Sequence, residues 1–213
     1  MLFATETDLF ASWRELRPDL VEDGMVDAEA YRASSPRTVF LLKEANDTSR
    51  EGRWDLRSYI RDHGTERTLY NIARWSFALR SRGSDLAWDA VTALTRAERS
   101  ELLRAVAFVN LKKSPGGYVA EENAIKKAAV GDREFLRAQM RLYCPEVTVW
   151  CGTDGQVLQD APFAWRATRR GVQFAKSESL GLVIRYSHPS ARASDNLLFY
   201  GFADAVRELL PVA

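Results

Sequence analysis

Two periods of apolar residues alternate along the chain. Leu9, Trp13, Leu16 and Leu20 recur every three or four residues, which predicts a helix over 7–20 with one buried face. Ser35-Pro36 breaks that pattern. Thr38-Val39-Phe40-Leu41-Leu42 is then a continuous apolar run of strand length, as expected of a strand covered on both faces. Three more such runs follow: Val106-Ala107-Phe108-Val109, Val147-Thr148-Val149-Trp150-Cys151 and Leu182-Val183-Ile184-Arg185-Tyr186. Between the first and second runs lies a helical region, about 55–103. Ser84 is a candidate cap within it, and Thr95-Arg96-Ala97-Glu98 fits a capping box. Asp132 is placed to cap a helix that carries Phe135, Leu136, Met140 and Tyr143 and stops before Pro145. A last helix is predicted over about 195–210.

Strands separated by helices imply an α/β fold. We expect three layers, α/β/α, around a central, mainly parallel four-stranded sheet, formed by a single domain over 1–213. Ligands of such sheets bind at the carboxyl ends of the strands. Three strands here run into polar sequence: Glu44 to Ser49, Asn110 to Gly117, and His188 to Arg192. These three segments are expected to converge on one crevice.

Composition narrows the function classes. The 213 residues are 46% hydrophobic and 28% charged, enough for a core and inconsistent with disorder. No apolar run reaches membrane-span length, and MLFATETDLF has no basic segment ahead of an apolar one, so no membrane partner and a cytoplasmic location are expected. Cys144 and Cys151 do not form CxxC, and nothing nearby completes a zinc or iron–sulfur site, so neither metal nor cofactor is expected. Cys151 reads as a small core hydrophobe. The net charge of +1 argues against coating DNA by charge alone. Residues 1–30 hold 8 acidic and 2 basic side chains (net −6) and the remainder 28 basic and 21 acidic (net +7), so an acidic flank beside a cationic face is one reading and an evenly mixed surface the other.

The order of the strand-end motifs resembles the uracil-DNA glycosylase superfamily. Lys43-Glu44-Ala45-Asn46-Asp47 stands where that family has a first motif, often Gly-Glu-Ala-Pro-Gly; Lys43 replaces the Gly, and Asn46-Asp47 replace Pro-Gly. Asn110-Leu111-Lys112-Lys113-Ser114-Pro115 matches its strand ending in Asn and the basic, Pro-containing segment after it. Val147 to Gly152 matches a later strand ending in Gly, and His188-Pro189-Ser190 its closing His-Pro-Ser. The resemblance spans about 38–210. The four cysteines of the iron–sulfur branches are absent.

The resemblance implies a monofunctional DNA glycosylase, acting as a monomer on DNA. It would flip a nucleotide out of the helix and hydrolyse its N-glycosidic bond, leaving an abasic site. His188 would hydrogen-bond a base oxygen as negative charge collects there. Glu44 or Asp47 would position water or balance charge on the sugar. Asn110 would read the base edge, with Ala45 and Asn46 beside it. Trp54, after Gly52-Arg53, would stack on the base, worth about 1–3 kcal/mol; Tyr59 is the other aromatic considered, better read as core. Lys112, Lys113, Ser114, Ser190 and Arg192 would contact DNA, with Arg169 and Arg170 as a further basic patch. The other histidine, His63, reads as a solvated turn residue.

The altered first motif points to a modified pocket. The resemblance then implies a damaged or modified pyrimidine as the base, uracil or a hypermodified cytosine of phage DNA being the alternatives, in repair or in phage defence. Two other classes stay open. Ala45, where some branches carry a catalytic Asp or Asn, fits a non-catalytic nucleic-acid-binding module of the same fold. A nucleotide-processing α/β hydrolase is the other.

Overall fold

The computed structural model describes residues 1–47, 51–62, 66–117 and 120–210. Among these the strands are β1 Gly24–Met25, β2 Thr38–Asn46, β3 Val106–Gly116, β4 Val147–Cys151, β5 Arg166–Ala167, β6 Gln173–Ser177 and β7 Gly181–Tyr186. The helices are α1 Glu6–Leu16, α2 Ala28–Ala33, α3 Leu56–Asp62, α4 Arg67–Arg80, α5 Trp88–Thr92, α6 Arg96–Arg104, α7 Glu122–Gly131, α8 Arg133–Tyr143 and α9 Asp195–Leu209.

The fold is α/β. The sheet, however, is mixed and seven-stranded, in the order β1-β3-β2-β4-β7-β6-β5, rather than four-stranded. The four apolar runs are β2, β3, β4 and β7, which pair parallel to one another. The additions are antiparallel and lie at the two edges. They escape an apolar-run search because β1 and β5 have two residues each and β6 is largely polar.

Successive residues of the central strands enter opposite cores, as the period of two requires. Phe40, Phe108, Val149 and Ile184 pack with Trp75, Phe199 and Phe202 of α4 and α9. Leu41, Val109, Trp150 and Val183 pack with Trp13, Phe135 and Leu136 of α1 and α8. Both clusters are nearly free of solvent, which is why these strands read as unbroken apolar runs. Cys151 is buried in the first cluster, and burial pushes its thiol pKa well up.

Several local expectations change. α1 stops at Leu16, two residues before Pro18, and leaves Leu16 60% exposed. The region 55–103 divides into α3 to α6. Thr95 and Glu98 form the capping box of α6, but Ala87 caps α5 while Ser84 donates to the Ser81 carbonyl. Asp132 occupies the N-cap of α8 without a capping bond, because its carboxylate is held by Arg17. α7 has no counterpart in the pattern-based reading. Of the eight acids in the first 30 residues, Glu6, Glu22 and Asp23 turn inward onto Arg57 and Lys113, while Asp8, Glu15 and Glu29 are exposed. No helix among the described residues is long and apolar enough to cross a membrane.

Candidate active site at the strand ends

Numbered along the chain, the parallel strands lie in the order second, first, third, fourth. The connection leaving β2 goes to one side and that leaving β3 returns past it. A crevice is therefore expected beyond the carboxyl ends of β2 and β4.

His188 reaches that end from the loop after β7. It packs on Gly152, which follows β4: a Cβ on Gly152 would stand 2.9 Å from the His188 Cβ. Gly152 also has φ +62°, so glycine is required there twice over. Nδ1 of His188 lies 3.2 Å from the Ser190 main-chain N–H and 2.9 Å from Ser190 Oγ. A main-chain N–H can only donate, so Nδ1 is an acceptor and the neutral ring carries its proton on Nε2. Burial, and secondarily the charge of Lys43, lower the His188 pKa below its usual value. The ring is thus a neutral Nε2–H donor at pH 7. Lys43, on the last part of β2, pairs with Glu122 at the start of α7.

Glu44 lies opposite Lys112 in the β2–β3 register and pairs with it at 2.6 Å. A Cβ on Gly116 would collide with the Glu44 carboxyl. Lys112 also donates to the Pro115 carbonyl at 2.8 Å. The expected loop at 112–116 is therefore strand, held by this cross-strand pair. Ala45 is buried, Asn46 is exposed at the end of β2, and Ser114 is half-buried on β3. Asp47 accepts from the Gly52 N–H at 3.1 Å and from Trp54 Nε1 at 3.0 Å. The Trp54 ring meets Tyr59 edge-on. Tyr59 is exposed rather than core.

Asn110 is buried, and both its main-chain N–H (2.6 Å) and its Nδ2 (3.2 Å) donate to Asp23 Oδ2. Lys113 cannot contact DNA as placed. Being next to Lys112 in a strand, it faces the other side of the sheet, where its side chain is 0% exposed and bonded to Asp23. Ser190 and Arg192 are exposed. Arg169 and Arg170 lie in the turn between β5 and β6, at the far edge of the sheet. They pair with Glu208 and Asp204 of α9. His63, Thr48 and Ser49 lie outside the described residues.

Three participants were not foreseen. Asp23 belongs to a run of acids that gives no hint of burial. Glu122 belongs to the unforeseen α7. Arg185 lies against the Trp150 and Trp165 rings and bonds Asp154 at 3.2 Å, tying the β5 approach to the loop after β4. A groove of about 430 Å³ runs between α7–α8 and that loop, past Ile125, Arg137, Thr153 and Asp154; His188, Glu44 and Asn110 do not line it.

Compared with known protein families and curated protein sequences, the chain matches no family model and no curated sequence.

Proposed function

We propose that this chain is a DNA glycosylase of the uracil-DNA glycosylase type, which flips a damaged or modified pyrimidine from DNA and hydrolyses its bond to deoxyribose. In this reading β3, β2, β4 and β7 are the parallel core of that superfamily's three-layer fold, and β1, β5 and β6 extend it. The observation that carries the proposal is His188: a half-buried imidazole at a strand end, seated on Gly152 and held by Ser190 as a neutral N–H donor.

Cleavage sends the glycosidic electron pair into the base and leaves positive charge on the sugar. A donor aimed at a base oxygen is worth most when that charge arrives, since it is already oriented and partly shielded from water. A neutral imidazole does this through its Nε2–H. Lys43 places a positive charge near the same ring, which also favours an anionic leaving base. Water adds to the sugar carbon, and its proton passes to the neighbouring carboxylate and from there to the departed base anion, which leaves as the neutral base. Asp47 already accepts from Gly52 and Trp54, so Glu44 is the carboxylate we assign to the sugar and water, with Lys112 orienting it. Asn110 reads the base edge. Trp54 borders the base, and Ser190, Arg192 and Ser114 face the DNA backbone.

The test is abasic-site formation, read by alkaline strand cleavage, on DNA containing uracil and on DNA containing hypermodified cytosines. Abasic sites on at least one of them, lost in His188→Ala, are expected. Salt-sensitive DNA binding without abasic sites on any substrate would replace the proposal with the non-catalytic module. Hydrolysis of free nucleotides alone would replace it with the hydrolase.

A further inference from the structure

Asn110 stands at the end of a buried polar chain that the proposed chemistry does not use. Asp23 has no exposed surface, nor has the side chain of Lys113 or Gln139. Asp23 receives five N–H contacts: Lys113 Nζ at 2.6 and 2.7 Å, Gln139 Nε2 at 2.9 Å, and Asn110 through its main chain and Nδ2. Lys113 also donates to Gln139 Oε1 at 2.9 Å and stands 5.0 Å from the centre of the Trp13 ring. Gln139 Nε2 continues to the Tyr143 hydroxyl, which donates to Glu6.

This arrangement removes a freedom that carboxamides normally have. The two ends of an asparagine amide are alike in size, and a half turn exchanges donor for acceptor. Here the half turn would put Oδ1 against Asp23 Oδ2, in a place where no water can mediate, and would leave a buried acceptor facing an acceptor. Nδ2 is thus held toward Asp23, on the β1 side of β3, and Oδ1 is turned away from it. The distinction matters for a base reader. A 4-oxo pyrimidine offers N–H at position 3 and oxygen at position 4; a 4-amino pyrimidine offers the inverse, an acceptor and then an amino donor. One fixed amide in one pose satisfies one pattern and opposes the other.

We propose that Asp23, held by Lys113 and Gln139, is a specificity-determining positioning residue: it locks the Asn110 carboxamide and thereby sets the choice between 4-oxo and 4-amino pyrimidines. The proposal rests on the glycosylase reading, in which Asn110 meets the flipped base. It also gives Lys113 a role its burial permits.

The experiment compares kcat/KM for base release from matched DNA pairs, uracil against cytosine and 5-hydroxymethyluracil against 5-hydroxymethylcytosine. Wild type is expected to favour one class strongly, since a site built around a hydrogen bond rejects a partner that cannot make it. Asp23→Asn is expected to shrink the preference at least about tenfold by letting the amide turn. General damage would lower both rates and leave their ratio unchanged. Because Asp23→Asn alone strands Lys113, the double variant Asp23→Asn/Lys113→Met is measured beside it, and both are checked for folding by circular dichroism. A wild-type ratio near one, or an unchanged ratio in a folded variant, overturns the proposal while base release still supports the glycosylase reading. No base release by wild type from any of the DNAs overturns the glycosylase reading and this role with it.

Discussion

The β7 end and the β1–β3 edge solve opposite problems. At the β7 end, His188 and Ser190 bond across two residues, near the surface, in a loop that water reaches. At the β1–β3 edge, Asp23 is joined to Asn110, Lys113 and Gln139 across 87 to 116 residues of sequence, and no water reaches it. The first region can present a polar atom to a ligand at little cost to the fold. The second cannot lose a partner without stranding a charge, so it is suited to holding another side chain still. In the proposed site the first would contact the base and the second would hold still the residue that reads it.

Stability should separate the two regions most sharply. Asp23→Ala or Lys113→Ala leaves an uncompensated buried charge and is expected to cost about 3–5 kcal/mol in urea unfolding. His188→Ala should cost less, about 0.5–1.5 kcal/mol for the lost bond to Ser190. Equal losses at both places would erase the contrast. Gly152→Ala tests the seat of His188. A left-handed non-glycine residue costs about 1–2 kcal/mol, and the new methyl meets the ring's Cβ, so base release should fall along with stability. Loss of stability with full activity would detach Gly152 from the site.

Smaller effects sharpen the account. Arg192→Ala is expected to weaken DNA binding and flatten its salt dependence by about one unit of slope, whereas Arg169→Ala should leave both unchanged. Filter binding across a salt series reads this, and the reverse ranking would move the DNA face to the β5–β6 turn. The smallest signal is in pH. His188 has its pKa lowered in the folded protein, so between that value and the usual 6.5 the unfolded chain binds more protons than the folded one. Stability should therefore rise with pH across that window and be flat, for this group, above it. Melts of wild type and His188→Gln from pH 5 to 7.5 should differ in slope only below about 6.5.

What could be read from the residues follows the same division. The four parallel strands were legible because residues buried on both faces must be apolar, and the Thr95 capping box because its partners lie three residues apart. His188-Pro189-Ser190 was legible as a local motif. The edge strands were not, since two-residue or largely polar strands carry no period to detect. The burial of Lys113 is not legible because Lys112 and Lys113 look alike in sequence, and only the extension of β3 through 116 sends them to opposite faces. Asp23 was illegible because its partners are all distant along the chain.

The central claim is that His188 donates to the leaving base. Single-turnover base release, measured for wild type and His188→Ala on whichever of the uracil-containing or modified-cytosine DNAs yields most abasic sites, tests it directly. The expected result is a fall of about 10²–10³ in a variant whose melting curve shows it still folded at the assay temperature. Release by the alanine variant at the wild-type rate would contradict it.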